Sequence, residues 1–229
     1  MPRIKPSPGR ERTSNSLERK HPSRPPRDMI LIVCSVESKD YFQDMVNHLK
    51  LNNRITVETT SSNDPIQQVE EALEISHQAD PHRRLFALLD QGDPDTESGR
   101  PDQIRQAQDL ARYHDLPNNR IFRLILTAPG FPLWLLLHFD EAEFSALPPQ
   151  EWPQKVANKL GEFIPRSSRV ETRREFFKKT HKHLELAIKR GQKQVLIRKV
   201  KPGPRTEIHE LITYLLKLQE RYARLRACP

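Results

Sequence analysis

Residues Met29–Phe42, MILIVCSVESKDYF, decide how the rest of the chain is read. Ile30, Ile32 and Val33 with Leu31 and Cys34 form a β-branched apolar run too short for a helix of its own, which predicts a strand covered on both faces. Phe42, Met45, Val46 and Leu49 then recur at helical spacing, so the chain turns over near Glu37 and lays a helix back on the sheet. In an open α/β sheet, ligands bind outside the carboxyl ends of the strands. That rule places Ser35, Glu37 and Asp40 where chemistry is expected.

Working outward, the pattern alternates. Arg54–Thr60, RITVETT, reads as an outer strand, with Ile55 and Val57 set against polar neighbours. Asp64-Pro65 is a helix start, the aspartate as cap and the proline in the first turn, followed by Ile66, Val69, Leu73 and Ser76 on one face. Leu85–Leu89 is a third strand that ends in Asp90-Gln91-Gly92-Asp93. Pro101 opens another helix with Ile104, Ala107, Ala111 and His114 on its inner side, and Ile121–Leu126 is a fourth strand. Parallel strands need the crossovers that these helices supply, so the fold class is α/β with a mostly parallel sheet.

The fourth strand leads into Thr127-Ala-Pro-Gly-Phe-Pro-Leu-Trp-Leu-Leu-Leu-His-Phe139, a Pro/Gly turn and then a helix apolar on nearly all sides, which belongs in the core. Beyond a proline-rich joint at Ala146–Pro153, helices are expected at Val156–Phe163, Val170–Lys189 and Ile208–Leu225, the last capped by Thr206, with Gln194–Val200 as an edge strand. Three regions result: a disordered basic arm over 1–28, an α/β domain over 29–145, and a basic, mainly helical extension over 146–229.

The charge is unevenly spread. Residues 1–28 carry 8 Lys/Arg against 3 acids, residues 29–150 carry 10 against 19, and residues 151–229 carry 20 against 8. Such flanks suit phosphate or an acidic partner, and they equally suit a basic tail that docks on an acidic core. On the first reading the nucleic-acid surface is the tract of Arg173, Arg174, Lys178, Lys182, Lys189, Arg198 and Lys199, with DNA or RNA as partner. Two cysteines, Cys34 in a strand and Cys228 near the end, give neither a disulfide framework nor metal-ligand spacing. With no apolar run near the roughly 20 residues of a spanning helix and no secretory pattern before Met29, a cytoplasmic setting without membrane contact is expected.

Glu37 after strand one and Asp90 with Asp93 after strand three would come together if those strands are neighbours. Carboxylates around a gap are what Mg²⁺ or Mn²⁺ requires, and such an ion activates water or stabilises a phosphoryl transition state. Acidic residues at strand ends are also plain turn chemistry. His181 and His183, two apart on a helix, point to different faces and so do not make a joint ligand pair. His138 reads as a satisfied core histidine and Cys34 as a small buried residue.

Several blocks carry a resemblance: the basic leader running into Ile30–Cys34, Glu37 before Tyr41-Phe42, and Leu85–Asp90 ending in an aspartate. To these add Pro129-Gly-Phe131 leading into Trp134–Phe139, and Pro204-Arg-Thr-Glu-Ile-His-Glu-Leu211. The sequence resembles the RloB-like family, encoded beside restriction and abortive-infection loci, often with an AAA-type ATPase, and related to the Toprim fold. In that family the first strand ends in a Cys-Glu-Gly-Glu-like turn, the third in an Asp-x-Asp-like pair, and the apolar helix opens Asn-Pro-x-Phe-Glu. Here the first glutamate falls on Ser35 and the second on Glu37; Asp90 matches the first aspartate, while the second falls on Gly92 with Asp93 one place late. Phe131 is kept and the next glutamate is Pro132.

The departures fall on carboxylates while the apolar framework is intact. The resemblance therefore implies a Toprim-like subunit of a defence complex that binds nucleic acid with a degenerate catalytic set, served by an ATPase or another defence subunit. Its first rival is a Mg²⁺- or Mn²⁺-dependent nuclease in which Glu37, Asp90 and Asp93 are both the metal ligands and the catalytic residues. A further rival is a protein-interaction module whose last helix, 206–226, buries its apolar face on another subunit.

Overall fold

The computed structural model describes residues 29–78, 82–91, 100–113, 120–142, 147–148, 151–163, 176–198 and 204–227. The arm at 1–28, together with Asp93, Arg173, Arg174 and Lys199, lies outside them.

The opening stretch folds as its pattern requires: β1 (Met29–Cys34) is followed by α1 (Val36–His48). Three further pairs follow the same plan, β2 (Ile55–Thr59) with α2 (Pro65–Gln78), β3 (His82–Asp90) with α3 (Arg100–Tyr113), and β4 (Ile121–Ala128) with α4 (Phe131–Leu136). Then come α5 (Trp152–Phe163), α6 (Phe176–Thr180), a 3₁₀ turn at His181–His183, α7 (Leu184–Arg198), β5 (Arg205–Thr206) and α8 (Ile208–Ala227). Among the described residues the strands make one sheet in the order β2-β1-β3-β4-β5, parallel except for β5, which pairs antiparallel with β4.

Because side chains alternate across a strand, β1 feeds two cores. Ile30, Ile32 and Cys34 join the larger one, under α1, α4, α5, α6, α7 and α8; Leu31 and Val33 join the smaller one, under α2 and α3. All five are buried. Asp64 caps α2 as expected, its Oδ1 accepting from the amides of Ile66 at 2.9 Å and Gln67 at 3.0 Å. Leu133, Trp134, Leu135 and Leu136 of α4 are all buried, so the all-round apolar helix is indeed in the core.

Three expectations for the carboxyl-terminal part change. Gln194–Val200 is not an edge strand: residues through Arg198 continue α7, with Ala187, Gly191 and Gln194 buried at helical spacing, and the fifth strand is the short β5. A single helix from 170 to 189 is not seen, since the 3₁₀ turn at 181–183 separates α6 from α7. Nor does the last helix keep an apolar face free for another subunit: Ile208, Leu211, Ile212 and Leu215 are at 0 % exposure against this chain's own sheet, while Leu225, expected on that face, is 65 % exposed. Residues on both sides of the proline-rich joint share the larger core.

Candidate functional site

β1 and β3 are hydrogen-bonded neighbours, so the ends of both strands open at one edge of the sheet. Glu37 stands exposed in the first turn of α1, and Asp90, half-buried, closes β3. The two carboxylates are thus brought to the same edge from adjacent strands. The Pro129-Gly-Phe131 turn meets them there: a methyl added to Gly130 would sit 3.5 Å from Asp90 Cγ, so the entry to α4 lies directly against that carboxylate.

Sequence reasoning missed the rest of this edge. Asp90 pairs with Thr127, Thr127 with Thr206, and Ala128 with Arg205, so β5 delivers Arg205 to the same end of the sheet. The Gln91 amide donates to Thr127 O at 2.8 Å, and Arg205 Nη2 donates to the Gln91 side-chain oxygen at 3.0 Å. Next to it Glu207 accepts from the Leu126 amide at 3.0 Å, and burial pushes its carboxyl above the ordinary value. A two-residue strand has no periodicity to read, and the only signal for Arg205 was its place in the Pro204–Leu211 block.

Of the hydroxyl and thiol groups at this edge, the thiol is held protonated by burial. Cys34 is fully buried, its thiol donates to Glu58 O at 3.7 Å, and burial pushes its pKa up to about 12. Ser35 and Ser38 share a hydroxyl contact at 3.2 Å, and Ser38 Oγ also donates to Ser35 O. Among the described residues no three His, Cys, Asp or Glu side chains come together as a cation site. A hard dication takes about six oxygen ligands. Mg²⁺ keeps several waters among these and is held by one or two carboxylates, so Glu37 and Asp90 are the described side chains at this edge that would supply the protein oxygens.

The basic tract is a separate place. Lys178, Lys182 and Lys189 are exposed on α6, the 3₁₀ turn and α7, and Arg198 closes α7. Lys178 shares a groove with Asp44, Asn47 and His48 near the end of α1, seven or more residues, about 10 Å, beyond the turn that holds Glu37. His181 and His183 are not paired as ligands: His181 Nδ1 donates to Lys178 O at 2.7 Å, and His183 lies near Phe139. His138 is the satisfied core histidine expected, 1 % exposed and bonded on both ring nitrogens.

A family model described as RloB-like protein matches residues 30–215, well over half of the chain. No curated protein and no solved structure matches it.

Proposed function

The chain belongs to the RloB-like family, and from that membership we propose that it is a nucleic-acid-binding subunit of a prokaryotic defence complex, built on a Toprim-like sheet. The observation that carries this reading is the charge at the carboxyl edge. Arg205, held by Gln91, lies at the same carboxyl edge as Asp90, and a guanidinium there suits a phosphate. The exposed lysines at 178, 182 and 189 supply a second, sequence-independent grip on the backbone. In this reading an AAA-type ATPase or another defence subunit does the work that the depleted edge does not, in the cytoplasm and away from membrane; no helix among the described residues is long and apolar enough to cross one.

One observation favours the rival nuclease: Glu37 and Asp90 do share an edge, and Asp93 lies among residues whose placement is not described. Incubating the protein with labelled single- and double-stranded DNA and RNA in Mg²⁺ or Mn²⁺, beside Asp90→Ala, separates the two. Salt-sensitive binding without cleavage is expected. Cleavage that needs metal and disappears in Asp90→Ala would establish the nuclease instead.

A further inference from the structure

A groove of about 340 Å³ lies between the end of α1 and the α6–3₁₀ turn, lined by Asp44, Asn47, His48, Phe177, Lys178 and His181. Its volume falls at the low end of the roughly 300–1,000 Å³ typical of small-molecule sites. The floor is the buried Phe177 ring, with the imidazoles of His48 and His181 at 5.4 and 5.9 Å from it and 5.5 Å from each other. Phe177 backs the two imidazoles, and His48, exposed, and His181, half-buried, offer the stacking faces. On its rim Asp44 Oδ2 is shielded from solvent and has no hydrogen-bond partner among the described residues. Burial pushes this carboxyl above its ordinary value, Lys178 opposing and Asp40 adding to the shift. An acceptor left in that condition calls for a donor from a ligand.

We propose that this groove takes an unpaired nucleobase bearing an exocyclic amino group, cytosine in the simplest case, stacked on His48 with its amino group donating to the Asp44 carboxylate. Lys178 on the same rim meets the adjoining phosphate, and Lys182 and Lys189 continue the backbone track. A carboxylate accepts from the cytosine amino group and rejects thymine, which presents a carbonyl at the same position. Imidazole and aromatic faces stack any base. The lysines therefore hold the strand, and the groove selects which base is tolerated beside them. This assignment rests on the nucleic-acid-binding reading, and it makes the preferred substrate single-stranded.

The test is fluorescence anisotropy of the full chain with labelled oligo-dC and oligo-dT of equal length at several salt concentrations. Wild-type protein is expected to bind oligo-dC about fivefold or more tighter than oligo-dT. Asp44→Ala should bring the two within about twofold, and His48→Ala should weaken both on the order of tenfold. Circular dichroism confirms that each variant is folded; if Asp44→Ala is not, Asp44→Asn replaces it, because one amide can face either base and so also removes the preference. Salt-sensitive binding with equal affinity for the two oligonucleotides overturns the groove assignment and leaves the nucleic-acid reading standing. Absence of binding to either overturns both.

Discussion

His138 has its two ring nitrogens fixed by different partners. Nδ1 donates to Trp134 O at 3.0 Å, which leaves Nε2 to accept from the Tyr41 hydroxyl at 3.3 Å; that hydroxyl in turn accepts from Trp134 Nε1 at 2.9 Å. Both rings are buried, so the network has no water to replace a lost member. Burial pushes the His138 pKa down to about 4, against an ordinary value of 6.5, and holds Tyr41 well above its usual range. The linkage has a definite sign. Between pH 6.5 and 4 the unfolded chain binds a proton that the folded chain refuses, so the contribution of His138 is fully present above pH 6.5 and is lost as pH falls toward 4. The loss is on the order of 3 kcal/mol. Urea unfolding of wild type and His138→Gln should therefore show the gap between them narrowing as pH drops from 7 to 4.5; a gap that stays constant would mean that this imidazole is not held neutral.

At the scale of elements, α8 crosses the larger-core face of the sheet by a series of cationic contacts. Glu210 meets Arg123 of β4, the Tyr214 ring lies under Arg84 and beside Phe86 of β3, and the Tyr222 ring lies 3.5 Å from the guanidinium carbon of Arg54, just before β2. Arg54 Nε is buried without a hydrogen-bond partner among the described residues, so the ring face is its compensation. Tyr222→Leu keeps apolar area and removes that face; it should cost about 1 kcal/mol, while Tyr222→Phe should be nearly neutral in thermal denaturation. None of this crossing was legible in the sequence, since arginines alternating with apolar residues in strands read as solvent-facing. What was legible followed from strong local signals: the β-branched run at 30–33, the Asp64-Pro65 start, and the all-apolar helix after Gly130. The error at 194–200 also has a physical cause. The β-branched and apolar run at 195–200 carries a strand pattern, yet residues through Arg198 are helical, and Gly191 inside α7 lets α8 approach, since a Cβ there would come within 3.1 Å of His209. The candidate site divided in the same way, with Glu37 and Asp90 visible as carboxylates after strands and Arg205 hidden because its position depends on antiparallel pairing with β4.

Over the whole molecule, the cations of the basic carboxyl-terminal part fall into two sets that composition alone could not separate. Some of its cations dock on the acidic middle: Lys159 on Asp140 at 2.7 Å, Lys193 on Glu141, and Arg190 on the Leu137 carbonyl at 2.8 Å. Lys182, in the 3₁₀ turn, and Lys189, on α7, instead stand exposed. The two sets predict different phenotypes. Each backbone phosphate neutralised adds about 0.7 for single strands or 0.9 for duplex to the salt slope of log K. Replacing both Lys182 and Lys189 with Gln should then lower the slope by roughly 1.4 to 1.8 and weaken oligo-dC and oligo-dT equally, with stability shifting by no more than about 0.5 kcal/mol. Lys159→Gln should do the reverse, leaving the slope unchanged and costing about 1 kcal/mol or less of stability, because its pair with Asp140 is about two-thirds shielded. An unchanged slope in the double variant would move the phosphate contacts off these lysines and leave docking as the whole purpose of the basic charge.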